Sequence, residues 1–475
     1  MAEPPAKSGG RRPVGDGIVT FAVALAARLA VVAWAGSRIP PTADAVYYQQ
    51  IAERIAQGSG YTWLWPDGAV TYAAHYPVGY PALVAAVYAV TGPRPVAAMV
   101  LNALLGALGA LAAQRLAARA APPGALGRRL ALASGLLVAL HPGLVAYTPA
   151  LMTEGITAAL ITCAAAVTAW ARERRGAPRD AVASAMAIGV VIGLATLVRP
   201  QSVVLAPIFG TLAALGSSRA SRARVAGMAT TATLAALLVC APWTARNCVR
   251  MKRCALVSVN GGWNLLIGAD AESTGAWSPI KVPEACREVF DEAEKDACFG
   301  REARLYIAAH PAEWLALAPR KLAATFDYAG AAPWYLHDAN AAAFPWSAKV
   351  TLASAETLFE RVALLGALAW AARRASPEER PGLRWVRLVV AAVGGVFAFR
   401  LHAWIAHAAL VLAGLARGRS LLRGPVLGSS AVTVLAATMA THAVFFGAGR
   451  YSLVVFPLLT ALAPLAFGWR SSPPN

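Results

Sequence analysis

About twelve apolar runs, each close to the length of a membrane-crossing helix, limit what this 475-residue chain can become. They fall at roughly 17–36, 94–119, 128–147, 150–171, 181–198, 200–216, 225–242, 351–371, 386–400, 401–416, 426–446 and 451–468, with Arg400 and His402 interrupting the pair at 386–416. Crossing about 30 Å of hydrocarbon takes about 20 apolar residues, and every backbone polar group must be satisfied within the span. The expected fold is therefore an all-α polytopic membrane protein. A hydrophobic fraction of 58% with only 14% charged residues agrees, being far above the apolar usage of soluble domains.

The net charge of +19 raises the question of nucleic acid, and its placement answers it. Arginines gather in short gaps between runs, at Arg115–Arg129, Arg172–Arg179, Arg219–Arg224, Arg373–Arg387 and Arg417–Arg423. If every run crosses once, these gaps share one side, which is the positive-inside pattern and places both termini in the cytoplasm. No base-reading motif or aromatic-interleaved basic stripe accompanies them. Lys7, Arg11 and Arg12 precede a first run broken by Arg28 with no small-residue cleavage signal, so the expectation is an uncleaved helix behind a cytoplasmic tail, 1–16.

Two segments lie outside. In the first, 37–93, residues 44–57 place Val46, Tyr47, Ile51 and Ile55 at helical spacing, with Thr42 or Asp44 as cap and Gly58 and Gly60 as stop. This predicts an amphipathic helix along the membrane surface. The run His75-Tyr-Pro-Val-Gly-Tyr-Pro81 then leads to a short apolar stretch ending at Val90, expected as a second interfacial or re-entrant helix. The other outside segment, 243–350, nearly balances its charges and divides a catalytic module, 17–242, from C-terminal spans, 351–475. Its acidic run Glu288–Asp296 reads as a solvated face, Asn260-Gly-Gly as a turn, and 301–326 as helix. Cys163 and Cys240 fall within runs, whereas Cys248, Cys254, Cys286 and Cys298 fall on the oxidising side. Four cysteines allow three pairings; Cys248–Cys254 with Cys286–Cys298 is the favoured one.

Polar residues that the topology sends outward are few: Asp44, His75, Tyr76, His141, Glu154, Arg199, Arg246 and Arg450. An acid near the membrane is costly unless a partner or polar cavity meets it. Glu154 has a plain structural account as a helix-start carboxylate, and each arginine alone could snorkel to the interface. Three arginines at the outer level, against the inside-positive bias, favour anion binding instead. A metal set of His75, His141 and Glu154 is an alternative, with no CxxC or histidine-pair spacing behind it.

The order of several short motifs resembles the C-type (GT-C) glycosyltransferases, closest to the protein O-mannosyltransferase and lipid A aminoarabinose-transferase group. These are Asp44 with Tyr47 and Tyr48, Tyr76-Pro-Val-Gly-Tyr-Pro81, Thr153-Glu154, Arg199-Pro200, Pro242-Trp-Thr-Ala-Arg-Asn247, and Arg450-Tyr451 with Pro457. The resemblance covers nearly the whole chain. It implies a polyprenyl-phosphate-linked sugar donor, a lipid, glycan or protein acceptor on the outer face, and Asp44 as catalytic base; Glu154 is a further catalytic candidate, expected to orient the sugar or an arginine. Tyr47, Tyr48, His75, Tyr76, Arg199, Arg246, Arg450 and Tyr451 become substrate-binding candidates. No cofactor is required on this reading and a divalent metal is not expected. Protein O-mannosyltransferases carry an Asp-Glu pair where this chain has Asp44-Ala45, so neither their protein acceptor nor the metal of oligosaccharyltransferase relatives carries over. The expected location is the plasma membrane, with the site facing the periplasm or exterior. The rival readings are a secondary transporter, which would show repeated halves with charges near mid-bilayer, and a non-catalytic handler of lipid carriers.

Overall fold

The computed structural model describes residues 14–174, 178–216, 220–270, 272–328, 330–373 and 381–468. The cationic tail residues Lys7, Arg11 and Arg12 lie outside the described residues, as do parts of three arginine-rich gaps, at 175–177, 217–219 and 374–380.

Among the described residues the regular structure is helical apart from one small hairpin. Helix α1 (Val14–Ala35) is followed by α2 (Asp44–Ala56), the hairpin strands β1 (Thr62–Leu64) and β2 (Val70–Tyr72), and α3 (Gly79–Thr91). Next come α4 (Pro95–Ala120), α5 (Ala125–Ala139), α6 (Pro142–Ala146), α7 (Thr153–Glu173), α8 (Pro178–Val198), α9 (Leu205–Ala214) and α10 (Arg222–Arg250). The 243–350 segment holds α11 (Gly261–Ala269), α12 (Glu292–Ala309), α13 (Pro311–Ala316), α14 (Ala318–Phe326) and α15 (Ala331–Ala339). The C-terminal part is α16 (Trp346–Ala372), α17 (Pro381–Phe397), α18 (Trp404–Leu415), α19 (Arg419–Arg423), α20 (Val426–Val444) and α21 (Phe456–Leu462), with 3-10 turns at Gly449–Val454 and Ala463–Phe467.

Each of the twelve apolar runs is helical, and seven of the described helices are long and apolar enough to cross a membrane: Gly15–Ala35, Pro95–Ala120, Ala125–Ala146, Thr153–Glu173, Arg179–Val198, Arg222–Arg250 and Val426–Val444. The 200–214, 404–415 and 456–467 runs are shorter apolar helices, while α16 carries Glu356, Glu360 and Arg361 in a buried face. Two-thirds of the most apolar stretch of α7 is buried, against 28% for α1 and for α10. α7 is thus the most enclosed of the seven.

Four local expectations need correction. The seventh run does not stop at Pro242: α10 continues to Arg250, and at 1.5 Å per residue its 29 residues reach about 43 Å, well past the hydrocarbon. The projecting turns are held because the chain doubles back along them. Trp243 and Asn247 donate to the Val257 carbonyl, and Thr244 donates to that of Leu256. Secondly, neither Thr42 nor Asp44 caps α2. The cap residue is Ala43 at φ 51°, a strained position worth about 1–3 kcal/mol, while the Thr42 hydroxyl donates to Asp338, 2.9 Å. Thirdly, Asn260-Gly-Gly begins α11 and is not a reverse turn. Fourthly, the acidic run is not uniformly solvated: Glu292 accepts from the Trp63 indole, 2.8 Å, and the Ala74 amide, 2.7 Å, and Asp296 accepts from the Trp263 amide, 2.9 Å. Burial pushes both carboxyls above their ordinary range, against the pull of those hydrogen bonds.

Disulfides pair Cys248 with Cys254 and Cys286 with Cys298, the favoured pairing. The helices expected at 44–57 and ending near Val90 are α2 and α3, but α2 buries Ala45, Tyr48, Ile51 and Ala52, leaving Val46 and Tyr47 of the expected face exposed.

Candidate functional site

Four loops converge where α1, α5, α8 and α20 end. The start of α2 supplies Asp44, the first turn of α7 Glu154, the end of α8 Arg199, and the 3-10 turn after α20 Arg450. Gly79 explains how the first outside loop reaches the others. A Cβ there would lie 2.6 Å from the Leu197 carbonyl carbon and 2.7 Å from the Val198 nitrogen, so α3 starts directly against the last turn of α8, one residue from Arg199.

Arg450 joins the two acids. Its Nη2 lies 2.9 Å from Asp44 Oδ2 and its Nε 3.3 Å from Glu154 Oε1. Arg199 completes the chain of charges, with Nη2 donating to the same Glu154 oxygen at 2.8 Å and Nε to the Thr153 hydroxyl at 3.0 Å. The other Glu154 oxygen accepts from the Tyr147 hydroxyl, 3.2 Å. Two acids and two arginines are neutral as a set, which is what lets the group sit at low exposure. Exposure separates the acids: the Glu154 side chain is 1% exposed and that of Asp44 is 32%. Only Asp44 offers a carboxylate to something arriving from outside. Beneath the arginines, the Tyr451 ring lies 4.8 Å from the Arg199 Cζ and 5.3 Å from the Arg450 Cζ and is backed by a parallel His442 ring at 4.3 Å.

Beside Asp44 stands an aromatic wall. The Tyr76 hydroxyl donates to Asp44 Oδ1, 3.2 Å. Exposed Tyr47 stacks on the Tyr76 ring at 5.4 Å, and buried Tyr48 meets it edge-on at 4.9 Å. His75 abuts Tyr76 at 5.0 Å and Trp263 of α11 at 5.3 Å. Burial lowers the His75 imidazole to about 4, partly opposed by the Asp44 charge, and raises the Tyr76 phenol, with Asp44 adding to that rise.

The sequence candidates thus divide. Asp44, Glu154, Arg199, Arg450, Tyr451, Tyr76, Tyr47, Tyr48 and His75 share one neighbourhood. Arg246 stands apart, donating to the carbonyls of Ala73 and Tyr61 at 2.8 and 2.9 Å among the rings of Trp243, Tyr61 and Tyr72; it braces the hairpin loop. His141 caps α6, accepting from the Leu144 amide, and is buried against Phe456 and Phe359. Among the described residues no three His, Cys, Asp or Glu side chains are grouped closely enough to hold a metal ion, so His75, His141 and Glu154 do not form the set considered above. Tyr147 and Glu292 were not expected. Tyr147 precedes Glu154 by seven residues across Pro149, a spacing with no periodic signature, and Glu292 was hidden in an acidic run.

No protein-family profile matches the chain, and no curated protein matches it. Solved structures do. The archaeal oligosaccharyltransferase AglB from Archaeoglobus fulgidus, in complex with an inhibitory peptide and a dolichol-phosphate, aligns over 95% of this chain and 49% of its own length, at 15% identity and a TM-score of 0.47. The apo form of the Archaeoglobus fulgidus oligosaccharyltransferase aligns over 95% and 50%, at 12% identity and a TM-score of 0.49. ArnT from Cupriavidus metallidurans, bound to undecaprenyl phosphate, aligns over 96% and 78%, at 16% identity and a TM-score of 0.42. The chain spans about half the length of the oligosaccharyltransferase.

Proposed function

We propose that this chain is a membrane glycosyltransferase that moves a sugar from a polyprenyl-phosphate-linked donor to an acceptor hydroxyl on the outer face of the plasma membrane, with both termini inside. The observation that carries the reading is Arg450, a guanidinium held between an accessible carboxylate and a buried one. Planar, always charged and able to donate two parallel hydrogen bonds, it is suited to a phosphate. In this mechanism Asp44 takes the acceptor hydroxyl's proton as the oxygen attacks the anomeric carbon. The bond from that carbon to the phosphate oxygen breaks, and the anomeric configuration inverts in a single displacement. Arg450 and Arg199 receive the charge that builds on the departing phosphate. Glu154 is too buried to meet substrate and holds the arginines in place. Tyr47, Tyr76 and His75 flank the route by which the acceptor reaches Asp44.

A divalent cation does not fit this set. Asp44 and Glu154 are already bridged by a guanidinium, and a second cation between them would face two arginines, so no step is routed through a metal.

The experiment is donor discharge. Purified protein in detergent is given polyprenyl-phosphate-linked sugars with a cell-envelope extract as acceptor, and free polyprenyl phosphate and glycosylated product are measured together. Release of the two in equal amounts is expected. In proteoliposomes, sugar or lipid movement across the bilayer without cleavage of the sugar–phosphate bond would favour the transporter or lipid-handling readings.

A further inference from the structure

A second arginine lies deep in the bundle with no acid to meet it. Arg28, on α1, is 2% exposed, and its Nη1 donates to the carbonyls of Ala24 at 3.0 Å and Ala139 at 2.9 Å. Among the described residues it has no carboxylate within ion-pair distance, and its Nε and Nη2 make no hydrogen bond to the protein. The Nε edge lies against Gly106, where a Cβ would approach it to 2.5 Å.

That side chain lines a cavity of about 40 Å³ bounded by Gly106, Gly109, Val138, Gly155 and Ile156. A water-sized particle needs about 10–15 Å³ on this scale, so the cavity takes a very few small particles and no sugar. Three other polar side chains line it, and all are committed elsewhere, Thr148 through its hydroxyl to the Val145 carbonyl. The Asn102 amide donates to the carbonyls of Thr148 and Ala150, and the Tyr147 hydroxyl to Glu154. A buried, unpaired charge within a span is costly, and such groups find a counter-charge. A polyatomic anion would need several donors. Here one guanidinium edge in an apolar shell offers charge and little else, which suits a small, weakly hydrated monovalent anion.

We propose that this cavity is a halide site, occupied by chloride and held by Arg28. The site does not depend on the glycosyltransferase reading. It touches the reaction centre through Tyr147, which lines the cavity and holds Glu154 through its hydroxyl, so an empty site would loosen the support of Glu154.

The test is thermal melting of the purified protein in sodium chloride against sodium gluconate at constant ionic strength. A saturable rise in melting temperature with chloride is expected for the wild type, by linkage to a ligand that binds only the folded state. The rise should vanish in Arg28→Met and in Gly155→Leu, whose added side chain enters open space, since a Cβ at 155 meets nothing within 4 Å. Equal melting of the wild type in both salts would overturn the proposal, as would a chloride response retained in both variants. Should neither variant fold, anomalous diffraction from bromide-soaked wild-type crystals decides: a bromide peak beside Arg28 supports the site, and a cavity holding water alone refutes it.

Discussion

At the scale of single residues, Arg450 has two roles in sequence. Without substrate it is ion-paired with Asp44 at 2.9 Å and occupies the carboxylate. An arriving lipid phosphate competes for the same guanidinium and frees the base as it binds. Arg450→Met should therefore weaken binding of polyprenyl phosphate by about 2 kcal/mol or more, roughly 30-fold, measured by titration of the detergent-solubilised protein. Unchanged affinity would remove the arginine from the phosphate site. His75 makes a prediction in pH. Its folded-state value of about 4 lies below the ordinary 6.5, so between those values the unfolded chain binds a proton that the folded one refuses. Its contribution to stability is intact above about pH 6.5 and is lost as the pH falls toward 4. Melting temperature followed over that window should fall with acidification in the wild type, and less steeply in His75→Phe. An identical slope in the two proteins would show that the imidazole is not what titrates.

At the scale of elements, the first outside loop owes its position to partners distant in the chain. Glu292 of α12 takes the Trp63 indole and the Ala74 amide, while Arg246 of α10 takes the carbonyls of Tyr61 and Ala73. One acid and one base thus clamp opposite hydrogen-bonding groups of the hairpin segment that ends in Tyr76. Glu292→Ala leaves a buried amide unsatisfied, at a cost of about 1–3 kcal/mol. Hydrogen exchange over 61–76 should accelerate while the bundle helices stay protected; no change there would mean that other contacts hold the hairpin. This clamp could not be read from the sequence, because an acid in a run such as Glu288–Asp296 looks like solvated surface until its neighbour across the fold is known. The helical state of α2 and of all twelve apolar runs was legible, since spacing and length decide it locally, whereas which face of α2 is buried depends on its partners. The end of α10 was not: Pro242 argued for a stop, and the hydrogen bonds from Trp243, Thr244 and Asn247 to the returning chain outweigh it.

At the scale of the whole molecule, segregated charge and one-sided acids imply an orientation. Cysteines introduced at Asp67, on the exposed hairpin tip, and at Ala125, the exposed first residue of α5 in an arginine-rich stretch, should label differently with a membrane-impermeant maleimide in intact cells. Asp67→Cys should react at once and Ala125→Cys only after permeabilisation; the reverse pattern would invert the topology. The same folding brings Asp44, Glu154, Arg199 and Arg450, spread over four hundred residues, into one ion-paired chain. The sequence placed them at one depth, but which arginine meets which acid depends on packing, and it set Arg246 aside while adding Tyr147. Asp44 is the residue on which the proposed reaction depends most directly. Donor-dependent transfer by Asp44→Asn, with the variant's fold verified by its melting temperature, should drop by about 10²–10⁴-fold, and the product of the wild type should carry the inverted anomeric configuration. Transfer at the wild-type rate by a folded Asp44→Asn protein, or a product with retained configuration, would contradict it.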